Sequence, residues 1–588
     1  MPGTVPSDFA TSPGGLLLVL AVLVPFVGVL AAFALGGRNA RRVAAVTILA
    51  GFAVAIAIAA AAAQTTRPLV YLLGGWTPPL GIALRGDGLA LVMILAVAVV
   101  IVGIGTYAWA GFGTPAGARE SRASLVFWTL LLAIWGALNL VFVSGDLFTL
   151  YVALELLTFA AVPLVSLDGR AETLRAALRY LVYALLGSVL YLLGAVLVYG
   201  AYGTLDIALL AARSRADPVT IAAAALMTTG LLAKTALFPM HLWLPPAHAG
   251  APAAASAVLS GLVIKGSWFL VVRLWFDVFP GVVTAPSAQL LAGFGAAAIL
   301  VGNVVALRQE RLKLLVAYST LAQIGYLFLM FPLAFGAGST GIERGDALAG
   351  GMLQAISHAT AKAAMFMAAG SIYYAVGHDR IAGLAGVGRA LPLTVLTFAL
   401  AGAALMGVPP SGAYVAKKLM LDAAAATGQW WWDAVLQVGG LLTTGYVVLV
   451  LAHALRRADA PVALRAPVSK LGQAAALGLA ILSLALGLAT LLGPDPDDIL
   501  ASAFGPAELG SVVLLVAGGV VVAAGLAPRL PALPAAQRAL AFAAPLRRAT
   551  LAAGGLLALA DGVLRQWTAA GIALLAAAIA FGAAMIAG

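Results

Sequence analysis

The sequence contains no cysteine, and only 9% of its 588 residues are charged. Without cysteine the chain cannot form disulfides, thiolate metal sites or thiolate-bound iron–sulfur clusters, which excludes redox chemistry carried by such a cluster. An ordinary soluble domain has about 25% charged residues. The shortage of charge and the 63% of hydrophobic residues exclude a soluble globular enzyme, which would expose large apolar patches, and a disordered chain.

Long apolar runs take the place of the missing charge. A membrane-spanning helix needs about 20 apolar residues, and the sequence offers about sixteen such runs. A β-barrel would instead alternate apolar and polar residues in segments of about ten, and the runs here are continuous. We therefore predict an all-α polytopic membrane protein.

Two of the runs, at 219–246 and 391–421, are too long for one straight span and contain proline. The prolines are Pro239 in the first run and the pair Pro409 and Pro410 in the second. Proline removes a backbone donor and clashes with the preceding turn. We predict two broken helices, a feature that marks ion and substrate sites in transporters.

Basic residues are distributed unequally between alternate loops. One set of loops carries most of the 33 lysines and arginines, whereas the other set carries only Arg67, Arg85, Arg213, Arg215 and Arg344. Basic loops stay on the cytoplasmic side. This predicts a protein of the cytoplasmic (inner) membrane, with both termini on the non-cytoplasmic side. The net charge of +11 is then a topology signal, and nucleic acid is not an expected partner.

The segment 531–567 differs from the apolar runs, because it mixes arginines and Asp561 with alanine and leucine. This composition suits a helix that lies in the membrane interface. We expect such a helix at 535–566, and a loose loop between the last two spans is the alternative.

Charged residues inside the apolar runs are few, and most are cationic. Glu155 is the one acidic residue that we place at membrane depth. The cations are Lys234, Lys265, Arg273, Lys362, Lys417 and Lys418. A charge at the bilayer centre costs at least about 2.5–3.5 kcal/mol, and burial makes a lysine easier to deprotonate. The set predicts a proton or ion path. Salt bridges between helices are the alternative, but one carboxylate cannot pair with every cation.

Several further residues are candidates for the same path. His358 lies one helical turn before Lys362 and shares its face. Lys418 points about 100° away from Lys417, so only one of the two is expected to face the path. Arg273, near a span end, fits an auxiliary role and a structural role equally well.

His241 and His248 lie in a proline-rich turn on the expected cytoplasmic side. They fit a proton-uptake point and a hydrogen-bonded turn equally well. We expect no metal site, because a cationic lysine is not a ligand and one histidine is too few.

Five segments carry a resemblance to a known family. They are GDLFTLYVALELLTF (145–159), LLAKTALFPMHLWLPPAHAGAPAAASAVLSGLVIKGSWFLVVRLW (231–275), LLVAYSTLAQIGY (314–326), ISHATAKAAMFMAAGSI (356–372) and GVPPSGAYVAKKLML (407–421). They resemble the antiporter-like subunits, which include the large membrane subunits of respiratory complex I, Mrp-type sodium/proton antiporter subunits and relatives in membrane-bound hydrogenases. The resemblance covers roughly residues 88–455.

The resemblance implies a core of about fourteen helices with two inverted five-helix repeats, each containing one broken helix. It divides the chain into an N-terminal three-helix segment (1–123), two repeats (124–276 and 287–455) and a C-terminal extension (471–588). The extension resembles the lateral-helix extension of the largest complex I and hydrogenase subunits, although it is much shorter.

The resemblance also implies a chain of proton-carrying residues. The matching positions are Glu155, Lys234, Lys265, His358, Lys362 and Lys417. After the double proline the family usually reads PPxxGF, whereas this chain reads PPSGAY, which shifts the glycine by one position.

Three functions stay open. The first is a proton-translocating subunit that works with other integral membrane subunits, and with a soluble redox module if the complex is redox-driven. The second is a Na⁺/H⁺ antiporter subunit of an Mrp-type complex. The third is a structural membrane anchor for a soluble partner. The chain itself shows no hydride, quinone or metal chemistry, so we expect no cofactor in it and any enzymatic activity to come from partners.

Overall fold

Helices make up nearly all of the fold. The computed structural model describes residues 10–115, 118, 121–336, 341–458, 460–488, 505–526 and 544–588. Two short antiparallel strands, β1 (Leu69–Leu72) and β2 (Ala83–Gly86), form a hairpin between the second and third helices.

The first half of the chain forms α1 (Leu16–Leu35), α2 (Ala40–Ala62), α3 (Gly88–Gly111), α4 (Arg122–Val143), α5 (Leu147–Val165), α6 (Ala171–Tyr202), α7 (Ile207–Ala211), α8 (Pro218–Thr235), α9 (Leu244–Gly250), α10 (Ala253–Val258) and α11 (Ile264–Arg273). Helices α10 and α11 are parts of one continuous helix, with π-helical turns at Leu259–Val263 and Leu274–Val278.

The second half forms α12 (Ala285–Leu307), α13 (Leu312–Tyr326), α14 (Met330–Leu333), α15 (Asp346–Val376), α16 (Val387–Ala390), α17 (Pro392–Met406), α18 (Gly412–Ala426), α19 (Trp430–Ala454), α20 (Lys470–Ala485), α21 (Pro506–Leu526), α22 (Ala544–Leu564) and α23 (Trp567–Ile586).

Fourteen helices in the described part of the chain are long and apolar enough to cross a membrane. The 31-residue α15 and the α17–α18 pair complete the sixteen predicted segments. The chain is therefore a multi-pass membrane protein with an all-α fold, as predicted. The inverted repeats and the domain boundaries stay predictions.

The first predicted break lies between α8 and α9. Ala236 ends α8 in the left-handed backbone region, with φ 61°, and Pro239 lies in the non-helical stretch that follows. A break in a membrane helix frees backbone groups that need new partners. The indole Nε1 of Trp243 supplies one by donating a 3.0 Å hydrogen bond to the carbonyl of Ala233.

The second predicted break lies between α17 and α18. Helix α17 ends at Met406, and the double proline stands before Ser411. The Ser411 hydroxyl caps α18 by accepting a 3.1 Å hydrogen bond from the backbone N–H of Tyr414. The break therefore forms although the glycine is shifted from its usual family position.

The C-terminal extension wraps around the bundle. Helix α21 packs on α19, α22 packs on α21 and α12, and α23 packs on α8 and α12. Helix α22 occupies 544–564 of the segment for which we expect an interfacial helix; its place relative to the membrane stays a prediction, and 535–543 lies outside the described residues. Arg547 and Thr550 of α22 donate hydrogen bonds to carbonyls at the end of α21, Ala524 (3.0 Å) and Gly525 (3.0 Å).

Close contact between α12 and α13 depends on glycine at the crossing point. A Cβ at Gly295 would lie 2.7 Å from the carbonyl oxygen of Gly325, and a Cβ at Gly325 would lie 2.3 Å from that of Gly295. Small residues that let two backbones approach are typical of packed membrane helices. This pair brings α13 into the centre of the bundle.

Replacing Gly295 with alanine should loosen the α12–α13 contact, because the opposing atom is backbone and cannot rotate away. Overpacking costs about 1–3 kcal/mol, so we expect a lower midpoint of thermal unfolding for the purified Gly295→Ala protein. The matched control is Gly293→Ala on the same helix, where a Cβ would meet nothing within 4 Å. Equal midpoints for the two variants would contradict this account.

A buried chain of charged residues

The first cluster of the site joins Glu155 on α5 to Lys234 on α8. Lys234 Nζ lies 3.0 Å from Glu155 Oε1 and 2.9 Å from Thr158 Oγ1, which accepts a hydrogen bond from it. The Ser188 hydroxyl on α6 donates to Glu155 and accepts from Lys234. Lys234 lies in the last turn of α8, where free carbonyls favour a cation. The carboxylate and two hydroxyls solvate the ammonium inside the bundle.

The second cluster is centred on Lys265 and His358. Lys265 Nζ donates a 2.7 Å hydrogen bond to the carbonyl of Ser260, which lies within the preceding π-helical turn. It also lies 2.5 Å from Nδ1 of His358 on α15. A protonated Lys265 donates to Nδ1, and the reverse arrangement places the proton on the imidazole. The contact therefore joins two titratable groups directly, with no residue between them.

Lys362 extends the second cluster by one turn of α15. Its ammonium donates a hydrogen bond to Ser319 on α13 and lies 5.8 Å from the ring centre of Tyr446. In the described part of the chain, neither Lys362 nor Lys265 has an ion pair with a carboxylate. Like charges at close range oppose each other, so a proton gained at one of these groups disfavours a proton at the next.

Lys417 stands apart from both clusters. Its Nζ donates a 2.8 Å hydrogen bond to Oε1 of Gln437 on α19. Two turns before Lys362 on α15, Gln354 donates a 3.0 Å hydrogen bond to Gln323 on α13. Lys418 is exposed, so the two neighbouring lysines face different directions, as their spacing predicts.

Arg273 lies at the opposite end of α11 from Lys265, where it forms ion pairs. Its guanidinium contacts Asp87, the N-cap of α3, with one separation of 2.6 Å, and Asp277 at 2.8 Å. Burial alone would raise the pKa of Asp87, but the hydrogen bond and charge of Arg273 outweigh burial and hold that pKa below its usual range. This geometry supports the structural role for Arg273, and no hydrogen bond among the described residues links it to the lysine clusters.

Both histidines of the first break are fully buried. His248 stacks on Phe366, with 4.7 Å between ring centres, and neither of its ring nitrogens has a hydrogen-bond partner among the described residues. His241 lies in the non-helical stretch, and its Nε2 is 2.7 Å from Oδ1 of Asp561 on α22. The structure therefore gives the two histidines different surroundings.

A cavity of about 860 Å³ opens beside α9. Ala249 and Gly250, which follow His248 in the chain, line it together with Arg170, Arg311 and Lys313. Arg170 and Arg311 belong to the loops predicted to be cytoplasmic, so the cavity lies at the end of the bundle for which that side is predicted.

Comparison with known proteins identifies the family. Residues 144–443 match the family described as "NADH:quinone oxidoreductase/Mrp antiporter, TM". The chain belongs to this family. The match includes both clusters, both breaks and Lys417.

Curated relatives cover most of the chain. NADH-quinone oxidoreductase subunit N of Desulforudis audaxviator is 32% identical over 492 residues, which cover 81% of this chain and 95% of that protein. A Na(+)/H(+) antiporter subunit of Alkalihalophilus pseudofirmus is 28% identical, with coverage of 74% of this chain and 86% of that protein.

Two solved structures share the fold. A chain of the membrane-bound sulfane sulfur reductase, an archaeal respiratory membrane complex, has a TM-score of 0.71 and 24% identity, covering 85% of this chain and 99% of that chain. A chain of the Mrp complex from Dietzia sp. DQ12-45-1b has a TM-score of 0.69 and 24% identity, covering 88% and 98%.

Several residues of the site were not predicted from the sequence of this chain. Ser188, Thr158 and Ser319 contact the lysines directly. They are hydroxyl residues inside apolar runs, which is the one feature that could have suggested them. Asp561 was grouped with a membrane-surface helix, yet its side chain is only 1% exposed.

Replacing Arg273 with glutamine should destabilise the protein by about 3 kcal/mol, because Asp87 and Asp277 lose a largely buried partner. The loss should be greatest at neutral pH. Since the folded pKa of Asp87 is depressed, the pair stabilises the fold above the unfolded pKa, and this contribution disappears as pH falls through the folded pKa. Thermal unfolding from pH 7 downward measures both effects.

The matched control is Arg344→Gln. Arg344 also pairs with Asp277, but its side chain is 51% exposed, so its loss should cost about 0–1 kcal/mol. A loss at Arg273 no larger than this would contradict the structural role.

Proposed function

We propose that the chain carries protons through the membrane as one subunit of a larger membrane complex. The observation that supports this most is the direct contact between Lys265 and His358, two titratable groups buried in the centre of the bundle. A salt-bridge scaffold would need carboxylate partners for these cations, and the described residues provide none for Lys265 or Lys362.

The geometry supports a stepwise transfer. When Lys265 passes a proton from Nζ to His358 Nδ1, a neutral amine and an imidazolium result, and return of that proton to Nζ restores the charged lysine and the neutral ring. A charged Lys362 repels the positive charge on either partner, so the protonation state of Lys362 changes how easily the proton moves.

Glu155 acts on the other cluster. It stabilises Lys234 in its charged form, and a weaker Glu155–Lys234 contact favours release of the proton. A hydrogen bond of 2.8 Å between Thr235 and Ser267 ties the end of α8 to α11. The two clusters therefore sit on elements that are joined by a direct side-chain contact.

Other integral membrane subunits are the partners that we propose first, because the relatives are named as subunits of oxidoreductases and antiporters. A soluble redox module would join if the complex is redox-driven. A Na⁺/H⁺ antiporter subunit is the second candidate, favoured by the likeness to the Alkalihalophilus antiporter protein over 74% of this chain.

Glu155→Gln and Lys265→Met should each abolish proton movement while the protein still assembles, because each removes a titratable group and keeps the side-chain size. Formation and collapse of a pH gradient in inside-out membrane vesicles measures proton movement. Lys418→Met is the matched control, since Lys418 is exposed on the outside of α18, and it should keep normal transport. Normal proton movement in both site variants would favour the membrane-anchor alternative.

The same vesicles separate the two candidates. Collapse of an imposed pH gradient on addition of sodium, lost in Lys265→Met, would favour the antiporter, and indifference to sodium would favour a proton-only path.

We propose further that both termini lie on the non-cytoplasmic side, on the basis of the basic loops. The natural chain has no cysteine, so a single introduced cysteine reports its own side. A membrane-impermeant maleimide added to intact cells should label Thr65→Cys, in an exposed turn after α2, and should label Arg457→Cys only after the membrane is opened. The reverse pattern would overturn the orientation.

A further inference from the structure

Asp561 connects the C-terminal extension to the first broken helix. Its Oδ1 is 2.7 Å from Nε2 of His241, and its Oδ2 accepts hydrogen bonds from the Tyr318 hydroxyl on α13 (2.8 Å) and from Arg565 on its own helix (2.9 Å). The side chain of His241 is fully buried and that of Asp561 is 1% exposed. A buried carboxylate is costly unless it is fully paired, and this one uses both of its oxygens.

Of the two ring nitrogens of His241, one has a hydrogen-bond partner and the other has none among the described residues. Nε2 faces Asp561, whereas Nδ1 makes no hydrogen bond to any of the described residues although it is buried. The ring of Phe238 stacks on the imidazole with 5.3 Å between ring centres. The orientation of the ring is therefore set by Asp561 on one edge and Phe238 on one face.

Among the described residues, α22 and α13 supply the charged and titratable groups that are linked to His241 through Asp561, and α6 contacts the same stretch of chain at Trp243. Helix α22 supplies Asp561 and Arg565, and α13 supplies Tyr318. Helix α6 supplies Tyr180, which stacks on Trp243 two residues after His241, with 4.1 Å between ring centres. The one negative charge in this set is the carboxylate, and Arg565 competes with His241 for it.

Burial alone would raise the pKa of Asp561, but the hydrogen bond from His241 and the charges of His241 and Arg565 outweigh burial and lower that pKa. The carboxyl group therefore stays ionised at neutral pH, as an acceptor for the histidine Nε2–H.

We propose that Asp561 is a positioning residue for proton uptake at His241, an inference that rests on the proposed proton-carrying function. By accepting the Nε2–H, the carboxylate holds the neutral ring in the tautomer whose Nδ1 lone pair is available. A proton that arrives forms an Nδ1–H bond and creates an imidazolium, which the carboxylate stabilises. Its release breaks the same bond, and the Nε2–H is kept throughout.

The position of the His241–Asp561 pair also connects it to the two lysine clusters. His241 lies seven residues after Lys234, in the stretch whose backbone leaves α8. Tyr318 lies next to Ser319, the hydroxyl that accepts from Lys362. Asp561 thus contacts the segment that follows Lys234 and the helix whose Ser319 hydroxyl binds Lys362, so the charge of His241 can influence both clusters.

The test compares the pH dependence of proton transport in two sets of vesicles. One set carries the complex with Asp561→Asn, and the other carries the complex with the natural sequence, here called the unchanged complex. Asparagine keeps the shape but removes the charge that stabilises the imidazolium, while Arg565 remains. We expect the alkaline limb of the profile to shift to lower pH by about 1 unit or more. Asp561→Glu should restore it.

A second variant shifts the profile in the opposite direction and does not depend on the folding of Asp561→Asn. Arg565→Gln removes the competing cation, whose side chain is 28% exposed, and should move the alkaline limb to higher pH. In a His241→Gln background neither substitution should move it. A role in packing alone predicts an equal reduction of transport at every pH and no shift in either direction, which would overturn the proposal.

The outcomes separate this inference from the proposed function. If unchanged complexes carry no protons and Lys265→Met behaves identically, the proposed function fails. If unchanged complexes carry protons and both α22 variants keep the original profile, the function stands and the role of Asp561 is wrong.

Discussion

A cation in the interior of a membrane bundle must be solvated by the protein itself, and the architecture follows this constraint. An unpaired ammonium in hydrocarbon costs several kcal/mol, yet three lysines lie near the centre of this fold. Lys234 is solvated by a carboxylate and two hydroxyls, Lys265 by a carbonyl and an imidazole, and Lys362 by a hydroxyl and the ring of Tyr446. Each of these partners sits on a different helix from its lysine, apart from the carbonyl of Ser260.

The irregular backbone serves the same requirement. In a regular helix the carbonyls accept hydrogen bonds from N–H groups of the same helix. A break or a π-helical turn leaves some carbonyls free to accept from other donors. The break begins one residue after Lys234 and leaves the Ala233 carbonyl to the indole of Trp243, and the π-helical turn at Leu259–Val263 presents the Ser260 carbonyl to Lys265. Irregularity thus occurs at the residues that need solvation, inside the protein where it is shielded from lipid.

The C-terminal extension contributes side-chain contacts from outside residues 144–443, the part of the chain that matches the family. Residues 144–443 contain both clusters, but Asp561 lies well beyond them in sequence. Because α22 packs against α12 and reaches His241 and Tyr318, it links the first broken helix to α13. A carboxylate from outside the matched residues therefore contacts charged and polar groups within them.

The sequence by itself determined the membrane location, the helical class, the approximate spans and both breaks. Each of these depends on local properties: the length of an apolar run, or a proline that cannot continue a helix. The buried charges could also be named, since a lysine in an apolar run is conspicuous. The tertiary structure alone decided that Ser188 contacts Lys234, that Arg273 pairs with Asp87, and that Asp561 is buried against His241. These contacts join residues 46, 186 and 320 positions apart, and only the packing of helices, which composition and periodicity do not specify, brings such residues within hydrogen-bond distance.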